Sequence, residues 1–119
     1  MDKTQIMIWK QIGYKAQDII CMADAGFPIE HIKQCIDSLR KLIGSLDVTE
    51  LDRVNSEYGI AITEYADMLI EATAKFEGKY IGIRNCGSAI LRIVLDMAYG
   101  NLQPDEFYKK IAEKGKTTG

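Results

Sequence analysis

The sequence predicts an all-α protein, a compact bundle of four to five helices, and three observations predict it. Apolar residues recur at spacings of three and four along successive segments of the 119-residue chain. The two prolines, Pro28 and Pro104, stand where each can occupy the first turn of a helix, in which a missing N–H costs nothing. No stretch alternates apolar and polar residues well enough for a sheet, and no repeat or low-complexity linker divides the chain. Residues 1–114 are therefore expected to form a single helical domain, with 115–119 as a polar tail.

The first helix is carried by Ile6, Trp9, Gly13, Ala16, Ile20 and Ala23 and ends at Ala25 and Gly26. After Pro28, the residues Ile29, Ile32, Ile36, Leu39 and Ile43 repeat the pattern, and Gly44 supplies the stop. Asp47 or Thr49 can cap a third helix, with Glu50 or Asp52 as the reciprocal partner of a capping box. Its apolar line is Leu51, Val54, Tyr58, Ala61, Tyr65, Leu69, Ala72 and Phe76. Unbroken to Glu77, it is one long central helix of about 29 residues, roughly 43 Å; Asn55, Ser56 and Gly59 are where it could bend. A fourth segment, about residues 80–99, carries Ile83, Cys86, Gly87, Ile90, Leu91, Val94 and Met97. Its small residues Gly82, Gly87, Ser88 and Ala89 allow another helix to come close, and Tyr80 to Ile83 could instead be a short extended piece. Gly100 and Asn101 end it, and a last short helix from Pro104 to about Lys114 pairs Phe107 with Ile111.

Composition narrows the function classes. With 47% hydrophobic and 27% charged residues the chain is an ordinary globular domain, and a domain of this size buries roughly two-thirds of its unfolded surface without metal, disulfide or cofactor. Lys10, Asp18, Asp67 and Arg92 interrupt every apolar run before the roughly 18 residues that a membrane span needs. The start, Met1 to Thr4, lacks the basic and apolar regions of a signal peptide, so a cytoplasmic location is expected. The three cysteines, Cys21, Cys35 and Cys86, are odd in number, widely spaced and set among apolar neighbours, which predicts reduced, buried thiols.

Charge supplies the main functional expectation. The formal net charge is −2, yet residues 47–77 hold eight acidic groups against two basic ones. Glu50, Glu57, Glu64 and Glu71 recur every seven residues with Asp67 between the last two, and on a continuous helix they share one side over about 30 Å. Arg53 and Lys75 are the cations placed to relieve their repulsion. The plainer reading is a solvated helix face. The functional reading is a docking surface for a protein with a basic surface, made by Glu57, Glu64, Asp67 and Glu71 with Tyr58 and Tyr65 as aromatic contacts. Regularly spaced carboxylates can imitate a phosphate row, so the expected activity is that of a non-enzymatic interaction module. One form of it is a stoichiometric inhibitor of a nucleic-acid-binding protein, of the kind that mobile elements encode. Self-association through the segment Gly82 to Ala89 is a second expectation.

Three short resemblances accompany this reading. Gly26 in a turn, Phe27 after it, and Ile32 and Cys35 beyond resemble a DNA-binding helix-turn-helix, which implies a DNA-binding regulator. Met22 stands where that motif has a small residue, and Glu30, His31, Lys33, Gln34 and Asp37 are not a basic reading face, so direct nucleic-acid binding is not expected. Ala25 to Pro28, through Cys35 and Ile36, also resembles the loop of a ubiquitin-associated domain, with Ala25 in place of the usual Met; the feature common to both is an αα-hairpin turn. Glu64 and Asp67 are similar to the Glu-x-x-Asp helix of the all-α nucleotide pyrophosphohydrolases, which implies Mg²⁺ held by carboxylates. Asp47 and Glu50 would then stand in for the other acidic pair, which departs from the family's Glu-x-x-Glu. His31 and Cys35, at i and i+4, have a zinc-compatible spacing that Cys21 could join, but no second paired ligand motif accompanies them. No phosphate-binding glycine loop and no nucleophile with its base is evident, so neither catalytic nor metal-binding residues are assigned.

Overall fold

The computed structural model describes residues 3–58 and 62–99, apart from the side chains of residues 57, 58 and 99. The expected helix at 104–114 and the tail at 115–119 lie outside the described residues. Within them the chain is all-α, with five helices: α1 (Lys3–Asp24), α2 (Ile29–Gly44), α3 (Val48–Tyr58), α4 (Ile62–Ala74) and α5 (Ile81–Tyr99). Helix α5 packs chiefly on α1 and α4, α2 packs on α1 and α4, and α3 adds Val54 to the core that they share. No helix among the described residues is long and apolar enough to cross a membrane.

The α1 stripe is wider than its heptad-like spacing suggests. Trp9, Gly13, Ala16, Ile20 and Ala23 are buried as expected, Ile12 and Ile19 join them, and Ile6 is only half-buried. The reason is that α1 has two helical neighbours, α2 and α5, and two contacts need a broader apolar surface than one. The helix ends as the glycine predicts: Gly26 has φ +70° and donates to the Ala23 carbonyl at 3.2 Å, while Phe27 donates to the Met22 carbonyl at 2.9 Å. This crossed pair of bonds satisfies carbonyls that the last turn would otherwise leave open. Pro28 precedes α2 as its cap (φ −55°, ψ 139°) and does not enter the first turn, and its carbonyl accepts from His31 at 3.0 Å. Ile32, Ile36, Leu39 and Ile43 then face the core.

The expected central helix is described as α3 and α4, and residues 59–61, where the two would join, lie outside the described residues. Its apolar line is also displaced. Helix α4 buries Leu69 as expected, but its other buried residues, Ile62, Ala66 and Thr73, lie one position beyond the expected line, and Tyr65 and Ala72 become half-buried flanks. The orientation follows from α2 and α5, which both press on α4 and together select the face lying between them.

Helix α5 begins at Ile81, with Arg84 donating to the Tyr80 carbonyl at 2.9 Å, so the extended alternative for Tyr80 to Ile83 gives way to a helical first turn. Ile83, Gly87, Ile90, Leu91, Val94 and Met97 are buried as expected. The close approach expected of its small residues occurs at Gly87. A Cβ there would lie 3.1 Å from Ile20 Cγ1 and 3.6 Å from the Ala16 carbonyl, so the absence of a side chain lets α5 settle against α1. Gly87 is thereby used inside the fold and is withdrawn from the surface on which a second copy was expected.

Candidate functional site

The acidic ladder divides into residues with different roles. Glu50 leaves it altogether. It is 8% exposed, its Oε2 accepts the Trp9 indole N–H at 3.3 Å, and Arg53 donates to the same oxygen at 2.9 Å. Trp9 is fully buried and its N–H needs an acceptor, so a carboxylate counted on the surface is drawn inward to supply it. Beside it the buried Gln5 side chain accepts the Asp47 backbone N–H at 2.9 Å, a second tie between α1 and the start of α3.

Three of the expected site residues do share the outer face of α4. Glu64 is exposed in the first turn, where the amide dipoles favour a negative charge. Asp67, one turn on, lies 3.8 Å from the Arg40 guanidinium of α2. Glu71 accepts from Lys75 Nζ at 2.6 Å, and this bond and the ammonium's charge hold the Glu71 carboxyl below its ordinary range and push the Lys75 ammonium up. Arg40 is a cation that sequence spacing could not supply, because it arrives from another helix. Tyr65 is half-buried and packs on the core, so it offers an edge and not a free ring. Glu57 and Tyr58 belong to α3, and their side chains lie outside the described residues.

One surface residue was overlooked. Met68 is 46% exposed on α4, between Glu64 at i−4 and Glu71 at i+3, a position legible from the same helical spacing that placed the carboxylates. It opens onto a groove of about 420 Å³ between α4 and α5, lined also by Ala72, Phe76, Ile81, Gly82 and Cys86. Ile81, at the mouth of α5, is 61% exposed.

The other constellations fare differently. Cys21, His31 and Cys35 line one cleft of about 410 Å³ between α1 and α2. The Cys35 thiol donates to the Lys15 carbonyl at 3.6 Å. Burial, reinforced by the Asp18 charge and opposed by Lys15, pushes this thiol up to about 11, which keeps it protonated and poorly nucleophilic. Burial also raises Cys86. All three cysteines are free, but none is fully buried as expected: Cys35 and Cys86 are half-buried, and Cys21 is exposed along the open α1–α2 cleft. Among the described residues no three His, Cys, Asp or Glu side chains are grouped so as to hold a metal ion. Accordingly Asp47, Glu50, Glu64 and Asp67 are not brought to one centre: Glu50 serves Trp9 and Arg53, and Asp67 faces Arg40. At the hairpin, Phe27 is 42% exposed, its ring inclined at 64° to that of His31, and Lys33 lies 3.6 Å from Glu30.

No family model matches the chain, and no curated protein or solved structure does either.

Proposed function

We propose that this chain is a non-enzymatic protein-interaction module that receives the basic surface of a partner protein on the outer face of α4. The observation that carries this reading is the exposure of Glu64, Asp67, Met68 and Glu71 at helical spacings of three and four on one face. Carboxylates around a thioether suit a partner that presents Lys or Arg beside an apolar side chain, since the charges steer the encounter and Met adapts its shape to what it meets. The pairings with Arg40 and Lys75 are exposed ones, of a kind that contributes little, so a partner's cations can replace them at small cost. A partner that uses the same basic surface for nucleic acid would be blocked by occupancy, which makes the module a stoichiometric inhibitor. Self-association belongs to the same reading and uses the adjoining α4–α5 groove, which shares Met68 and Glu71 with this face. The free thiols fit a reducing compartment such as the cytoplasm.

The test is affinity capture from native cytosol with wild type, with Glu64→Lys/Glu71→Lys, and with Met68→Ala, the fold of each checked by circular dichroism. A protein enriched by wild type, lost with the charge reversal and reduced with Met68→Ala supports the reading. Retention of the same partner by a folded charge-reversal variant, or recovery of nucleic acid alone, overturns it.

A further inference from the structure

The groove between α4 and α5 combines an apolar floor with a balanced rim. Ala72, Phe76 and Cys86 form half-buried walls, and Met68 and Ile81 stand exposed at its edges. Gly82 keeps the floor low, the nearest atom to a Cβ built there being the Ala72 Cβ at 3.9 Å. Around this strip lie Glu71, Lys75, Glu77 and Lys79, two acids and two bases. A strongly basic or strongly acidic partner would meet as many like charges as opposite ones here. A surface carrying the same four charges, turned by a two-fold axis, can set each acid against a base, and an isologous interface is self-complementary in this sense. The exposed aliphatic side chain and the open floor are likewise reciprocal.

We infer that this groove is the docking site of a second copy of the chain. In the dimer, Ile81 of each protomer enters the groove of the other beside Gly82, Met68 covers it, and Glu71 and Glu77 of one copy face Lys75 and Lys79 of the other. The contact keeps Gly82 and Cys86 of the segment Gly82 to Ala89 expected from sequence and leaves out Gly87, which packs against α1.

The test is the solution mass of the full chain by light scattering and sedimentation, from about 1 μM to about 1 mM at moderate salt, a range that brackets weak to moderate self-association. Wild type is expected to approach twice the 13.4 kDa chain mass as concentration rises. Ile81→Glu, an exposed change that also suits a helix N-terminus, is expected to weaken the dimer at least about tenfold without unfolding the chain. Glu71→Lys/Glu77→Lys and Lys75→Glu/Lys79→Glu are each expected to be monomeric alone and to regain the doubled mass when mixed in equal amounts. A wild type that stays monomeric throughout, an Ile81→Glu dimer as tight as wild type, or a mixture that stays monomeric overturns the inference.

Discussion

Trp9 and Glu50, forty-one positions apart, meet inside the protein: the indole N–H donates to the carboxylate at 3.3 Å, and Arg53 donates to the same oxygen at 2.9 Å. This contact joins α3 to α1, and it converts a residue of the acidic block into part of the core. Removing the acceptor leaves a buried N–H unsatisfied. Glu50→Ala is therefore expected to cost about 1–3 kcal/mol in urea unfolding, and Glu50→Gln, which keeps an acceptor oxygen, clearly less. Equal losses for the two variants would mean that the charge opposite Arg53 matters more than the hydrogen bond to Trp9.

The α1–α2 turn depends on backbone conformation alone. Gly26 has φ +70° and nothing lies within 4 Å of the place where its Cβ would be, so space is not the constraint. Gly26→Ala is expected to lose about 1–2 kcal/mol, the cost of the left-handed region for an L residue, with Gly26→Asn intermediate. Thermal unfolding of the three proteins checks the ranking.

Gly87 and Gly82 are on the same helix and should respond oppositely. At Gly87 a side chain meets Ile20 Cγ1 at 3.1 Å, and Gly87→Val is expected to destabilise by about 1–3 kcal/mol through overpacking between α1 and α5. At Gly82 the nearest atom is at 3.9 Å, an ordinary contact, so Gly82→Ala is expected to gain up to about 1 kcal/mol of helix propensity. Denaturant midpoints at micromolar concentration compare the two.

The thiols provide a pH readout. With its ionisation pushed up to about 11, Cys35 has only about one thiolate in a thousand at pH 8, so alkylation should label exposed Cys21 well before Cys35. The folded state holds this proton more tightly than the unfolded chain, whose thiol has the ordinary value of 9.0. The contribution to stability is therefore full below about pH 9 and is lost as pH rises toward about 11. Cys35→Ser is expected to flatten that part of the stability profile, and mass-resolved alkylation rates test the order of labelling.

The sequence by itself determined the helices and several of their details. The apolar spacing of Ile32, Ile36, Leu39 and Ile43 defines the buried side of α2, Gly26 ends α1, and the small residue Gly87 marks a close helix crossing, because each of these is a property of a residue and its neighbours within a turn or two. The exposure of Glu64, Asp67 and Glu71 was legible in the same way. Tertiary structure decided the rest. Which way α4 faces was set by α2 and α5 pressing on it together; Asp67 acquired Arg40 from another helix; Glu50 left the surface for Trp9; and Cys21 stayed outside. Periodicity says which side of a helix is apolar, but a buried donor takes whatever acceptor the assembled fold brings to it, and that choice has no period.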